Sequence, residues 1–160
     1  MAFVTARSIK PKGKAFDCKR IEQAIKDAVQ ESADDAQELY ESCVATWKHK
    51  PTFEQTKTKD GIIVGTDDQI FQYVDEGTRP HTIQVKNGRV LRFRGGYSPK
   101  TTPGKIGSQG GGASGGYVYT SKPIQHPGTK PRDFTGKVEK QVQGQLPVIM
   151  AQKLGGALGD

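Results

Sequence analysis

The chain has 160 residues, 33% of them hydrophobic and 26% charged, with a net charge of +7. That length supports one buried core and not two, and no apolar run is long enough to span a bilayer. Two cysteines, Cys18 and Cys43, cannot build a disulfide framework, so reduced thiols are expected. The opening MAFVTARSIKPKGK lacks the continuous apolar stretch of a secretory signal, which points to a cytoplasmic product.

Charge is distributed in blocks. Residues 1–20 carry six Lys/Arg against Asp17 alone and read as a basic N-terminal arm over 1–16. Residues 21–45 carry seven acids against Lys26, and Arg79 to Arg132 carry ten Lys/Arg with no acid. Blocks of opposite sign suit head-to-tail association, in which one subunit's acidic face meets its neighbour's basic face. The plainer reading is a solvated acidic helix and a basic loop, with no partner for either.

Residues 17–160 read as a single α+β domain. Apolar residues from Ile21 through Ala28, Ala36 and Tyr40 to Trp47 recur at three- and four-residue steps, which predicts a helix over Asp17–Trp47. Asp17 caps its start and Pro51 closes the segment. At about 45 Å such a helix exceeds what a small domain needs, so it is expected to break near Ala33-Asp34-Asp35 or to project towards a partner. Thr52–Lys57 and Gly61–Gly65 then form a hairpin about Asp60-Gly61, and Asp67–Glu76 a helical turn. His81–Lys86 and Arg89–Arg94 flank Asn87-Gly88, a strong hairpin signal. In the second of these runs Arg89, Arg92 and Arg94 are expected to point mainly outward.

Gly95 to Gly116 loses apolar periodicity, and seven of the thirteen residues from Gly104 to Gly116 are glycine. It reads as a flexible insertion over 95–116, because so little apolar surface cannot offset the entropy of ordering it. A strand over Tyr117–Lys122 follows. A final helix opens near Arg132 or Asp133 and carries Phe134, Val138, Val142 and Leu146 on one face. Gly136, Gly144 and Pro147 weaken it, and Gly155-Gly156 is expected to end it. The fold is thus a mainly antiparallel sheet packed by a long N-terminal helix and a C-terminal helix.

Chemistry is sparse. Three histidines (His49, His81, His126) and two cysteines have no zinc-ligand spacing. The glycines match neither a phosphate-binding loop nor a dinucleotide fingerprint, and there is no nucleophile elbow. No catalytic residue, cofactor or metal is expected, and the chain does not read as an enzyme.

Two motifs stand out together. One is Tyr73-Val74-Asp75-Glu76-Gly77-Thr78-Arg79-Pro80-His81, followed by Leu91-Arg92-Phe93. The other is His126-Pro127-Gly128-Thr129-Lys130-Pro131-Arg132-Asp133-Phe134. In this order, behind a long N-terminal helix, they resemble the small tail-completion or neck proteins of long-tailed bacteriophages, across roughly residues 17–155. Members of that family typically have a shorter stretch between the motifs, so the glycine-rich insertion departs from the pattern. The resemblance implies a virion protein at the head–tail junction, made in the host cytoplasm and acting by subunit association as a ring. Tail-terminator and head-connector subunits and further copies of itself are its implied partners, with non-specific contact to channel DNA and none to membrane.

The residues themselves place Gly77 and Gly128 where positive φ or close approach is needed, each followed by Thr78 or Thr129 and by Pro80 or Pro131. Such turns serve either the fold or a partner. Binding would otherwise fall to the acidic helix (Glu31, Asp35, Glu38), to Arg89, Arg92 and Arg94, and to the loop cations Lys100 and Lys105. In a ring those loops would meet a neighbouring ring at the rim or DNA in the lumen. The alternative is a basic nucleic-acid-binding protein that contacts phosphates through the 89–105 segment, although few aromatics are interleaved there for stacking.

Overall fold

The structure is a computed structural model that describes residues 17–86, 90–107 and 111–158. The long helix α1 spans Cys18–Val44 without interruption. Asp17 caps it, its Oδ1 accepting from the amides of Lys19 (3.0 Å) and Arg20 (3.3 Å). The expected break at Ala33-Asp34-Asp35 is absent. Buried residues run through that point, from Ala24, Ala28 and Ala33 to Ala36, Tyr40, Cys43 and Val44. The length is therefore used against the fold and not in projection.

Strands β1 (Glu54–Lys57) and β2 (Ile62–Gly65) form the expected antiparallel hairpin, closed where the Thr58 amide donates to the Gly61 carbonyl at 2.8 Å. The short helix α2 (Gln69–Asp75) is capped by Asp68, whose Oδ1 accepts from the Phe71 amide at 2.8 Å. The C-terminal helix α3 (Phe134–Leu158) continues through Pro147 and past Gly155-Gly156. It lies along α1, and Lys153 Nζ meets Glu31 Oε2 at 2.6 Å.

The core sits where these helices and the first hairpin meet. Phe71 is its hub, with ring centroids 5.2 Å from Phe53, 5.9 Å from Phe134 and 6.0 Å from Tyr40. Val138 and Cys43 fill in beside Phe134. Trp47 is only half-buried, at the edge of this cluster and 6.4 Å from Phe71.

The remaining strands form two-stranded antiparallel ladders: β3 (His81–Ile83) with β8 (Ile124–His126), β4 (Leu91–Arg94) with β7 (Tyr117–Thr120), and β5 (Tyr97–Ser98) with β6 (Gly112–Ala113). The domain is α+β, and its sheets are small antiparallel pairs. The hairpin expected between His81–Lys86 and Arg89–Arg94 is not there, since β3 and β4 pair with different, later strands. Its turn residues Asn87 and Gly88, with Arg89, lie outside the described residues.

Candidate functional site

Between Thr78 and Thr129 the pairings are nested, so that successive two-stranded ladders make a ribbon. Its base is a clasp between the two sequence motifs. The Thr78 amide donates to the Thr129 carbonyl at 3.0 Å, and the Thr129 amide returns the bond at 3.1 Å. Each motif glycine fits against the other motif's backbone. A Cβ on Gly77 (φ +77°) would lie 2.6 Å from the Thr129 oxygen and 2.8 Å from Pro131, while one on Gly128 (φ +83°) would collide with the Thr78 oxygen. Only glycine allows this approach at that φ. One step further out, His81 pairs with His126, and their rings stack at 4.9 Å.

The first motif also starts the last helix. Asp75 Oδ1 accepts from the Phe134 amide and, at 3.3 Å, from the Thr135 amide, and Oδ2 accepts from the Thr135 hydroxyl at 2.6 Å. These bonds satisfy donors that a helix N-terminus otherwise leaves open. Gly77, Thr78, Pro80, His81, His126, Pro127, Gly128, Pro131 and Phe134 are thus brought together at or beside one junction. Tyr73, on α2, is exposed.

Beyond the clasp the register is interrupted twice. The connection from β3 to β4 is longer in sequence than Ser121–Pro123, which joins β7 to β8, and Gly95-Gly96 face Ser114-Gly115-Gly116. The second interruption is a one-residue bulge that needs close backbone approach. A Cβ on Gly115 would lie 2.9 Å from the Gly95 carbonyl carbon, and one on Gly96 2.8 Å from Ser114 Oγ. Several of the insertion's glycines therefore serve strand pairing, and the segment holds the β5–β6 ladder where a structureless loop is expected.

The ribbon's far end turns back to the core. Thr101 is buried and accepts from Arg132 Nε at 3.1 Å, and the Gly104 amide donates to the Arg132 carbonyl at 3.3 Å. Lys100 Nζ donates to the Thr46 carbonyl at 2.6 Å. Ile106 packs on the core, and the Gly107 amide reaches the Cys43 thiol, whose pKa burial nevertheless raises.

The middle of the ribbon is bare on both faces. On one, Arg92 and Arg94 stand opposite Tyr119 and Tyr117, with the guanidinium carbons 3.9 Å and 5.3 Å from the Tyr117 ring centre. On the other, Phe93 and Val118 stand opposite each other and are each 42% exposed. Of the other expected contact residues, Lys105 is exposed, Glu38 is exposed on α1, and Asp35 is half-buried. Glu31 is held by Lys153, which places it at the α1–α3 contact. Asp34, missed in the sequence, accepts from both Gln30 and Gln55, and these bonds hold its carboxyl below the usual range.

Where the ribbon passes Trp47 and the clasp it borders an open cleft of about 1000 Å³. Trp47, Tyr97 and several prolines wall it, Lys48, Lys100, Lys130 and Arg132 supply charge, and among the described residues no Asp or Glu lines it. The cleft is not legible in the sequence. Its one available signal was the acid-free block, which contains most of the lining residues.

Among the described residues no group of three or more His, Cys, Asp or Glu could hold a metal ion. Among them also, no helix is long and apolar enough to cross a membrane. No protein-family model matches the chain, and no curated protein or solved structure is significantly similar to it.

Proposed function

We propose that this chain is a structural assembly subunit of the head–tail junction of a long-tailed bacteriophage, working by association as a ring and without chemistry. The two-motif resemblance supplies the particle. The observation that carries the mode of action is the bare β4–β7 ribbon. A two-stranded ribbon is marginal alone, and one exposing Phe93, Tyr117, Val118 and Tyr119 calls for a partner surface. Its arginine–tyrosine face complements the acidic stripe of α1, where Asp27, Asp34, Glu38 and Glu41 are exposed at helical spacing. Repeated around a ring, that pairing joins unlike faces of successive copies. Terminator and connector subunits are the partners above and below.

The nucleic-acid alternative draws on the same cations, but Lys100 is bonded to the Thr46 carbonyl, and Phe93 and Tyr97 are the few aromatics within the 89–105 segment for stacking. The test is complementation of particles lacking this protein with a variant carrying Arg92→Glu and Arg94→Glu. The variant is expected to fold with an unchanged melting temperature and to leave heads and tails unjoined. Normal joining by the variant refutes the ribbon as the contact. A monomer that binds DNA tightly, with steep salt dependence, favours the alternative.

A further inference from the structure

The geometry points to a second binding surface: we infer that the cleft bordered by the ribbon takes an acidic peptide segment carrying an apolar side chain. Arg132 is the reason. It is only 7% exposed, its Nε is fixed by Thr101, and it lines the cleft. Among the described residues no carboxylate comes within ion-pair reach of it. A buried guanidinium without a counter-charge is costly, and a carboxylate is its best-matched partner because the planar fork accepts two parallel bonds. Lys130 stands exposed at the rim, and among the described residues no Asp or Glu lines the cleft. The acids nearest its walls are engaged elsewhere, Asp68 with His49 and Asp75 with the start of α3.

The walls specify the rest of the ligand. Trp47 and the largely exposed Tyr97 offer flat apolar surface beside the cations, which suits an apolar side chain next to a carboxylate. The cleft's volume matches a small ligand or a short peptide segment and is too small for a duplex. A single strand is the competing occupant, since cations and aromatics also suit bases and phosphates. Arg132 is recessed, however, so it meets only a group that enters on a side chain, not a backbone tracking along the surface.

That the segment belongs to a neighbouring subunit rests on the assembly reading; that the cleft takes it does not. The test therefore uses the isolated full chain. Trp47 is its one tryptophan and lies in the cleft wall, so its emission reports occupancy directly. The probes are a short synthetic peptide of glutamates around one phenylalanine, the same peptide with lysine for glutamate, an oligothymidylate, and inorganic phosphate.

The acidic peptide is expected to shift Trp47 emission saturably, and the lysine peptide to have no effect. Lys130→Glu should weaken binding at least tenfold, and Arg132→Lys, which keeps the charge but loses the fork, should also weaken it at least tenfold. Lys130 is exposed, so its variant carries the test if Arg132→Lys does not fold. The inference is overturned if no saturable shift occurs, if Lys130→Glu binds as the parent does, or if phosphate or oligothymidylate binds as tightly as the peptide. If the peptide binds while Lys130→Glu still joins heads to tails in complementation, the site stands and its use in assembly falls.

Discussion

Replacing Gly128 with alanine tests whether the two motifs clasp. Gly128 has φ +83°, where an L side chain costs about 1–2 kcal/mol. The added Cβ would overlap the Thr78 carbonyl oxygen and lie 2.9 Å from the Arg79 carbonyl carbon and 3.0 Å from the Pro80 nitrogen. These are backbone atoms, so no side chain can swing away. Relief requires separating the strands at Thr78 and Thr129, which lengthens their two reciprocal hydrogen bonds, each worth about 1 kcal/mol net. The expected loss is therefore about 3–4 kcal/mol, a large share of the roughly 5–15 kcal/mol by which domains are stable.

Urea unfolding of the parent and of Gly128→Ala measures it, with Gly61→Ala as control. A Cβ at Gly61 meets nothing within 4 Å and its φ is not positive, so that change should fall within about 0.5–1 kcal/mol of neutral. Gly77→Ala should cost nearly as much as Gly128→Ala. The double variant should cost clearly less than the sum, because the first change has already opened the junction. A Gly128→Ala loss no larger than that of Gly61→Ala refutes the clasp.

Ser32 Oγ is buried on α1 with no hydrogen-bond partner among the described residues, so Ser32→Ala should raise stability by about 1 kcal/mol in the same unfolding assay. Cys43 is fully buried and burial raises its thiol pKa, whereas Cys18 is exposed; a maleimide at neutral pH should label one thiol in the native protein and two in denaturant, counted by mass. The Asp68 carboxyl is held below its ordinary range, first by the hydrogen bond with His49 and then by the Phe71 amide. Its folded pKa lies below its unfolded one, so its contribution is present at neutral pH and is lost as pH falls through the acid range. Asp68→Asn should accordingly flatten the acid limb of a melting-temperature profile measured against pH.

The helices and the first hairpin were legible because their signals are local. Asp17 caps α1, its apolar stripe has helical spacing, and Asp60-Gly61 sits where β1 turns into β2. What was not legible depends on pairing across long separations. Asn87-Gly88 is a sound local signal, yet β3 pairs with Ile124–His126, in register with the clasp at Thr78 and Thr129. The glycines of the insertion read as entropy, and only the tertiary structure shows Gly95, Gly96 and Gly115 meeting backbone to backbone. The cleft was invisible for the same reason: Trp47, Tyr97 and Arg132 come from three distant stretches of chain. Trp47, the last residue of the helical stripe expected from sequence, stands at the core's edge, with one side open to the cleft.

The division of labour between motif and surface follows from where the constraints lie. Gly77 and Gly128 are fixed by each other's backbones, Asp75 by the start of α3, and His81 by His126; each is spent on a contact inside the chain. Residues so committed make a sequence pattern specific without touching a partner. Arg92, Phe93, Tyr117, Val118 and Tyr119 have the opposite character, being held by one ladder and open to solvent. Changes in the first group should lower stability and impair assembly only in proportion to the folded protein lost. Changes in the second should leave the melting temperature intact and abolish joining outright. An assembly defect that tracks melting temperature across both groups would mean that the ribbon has no partner, and that its exposed aromatics are simply the cost of building the arm.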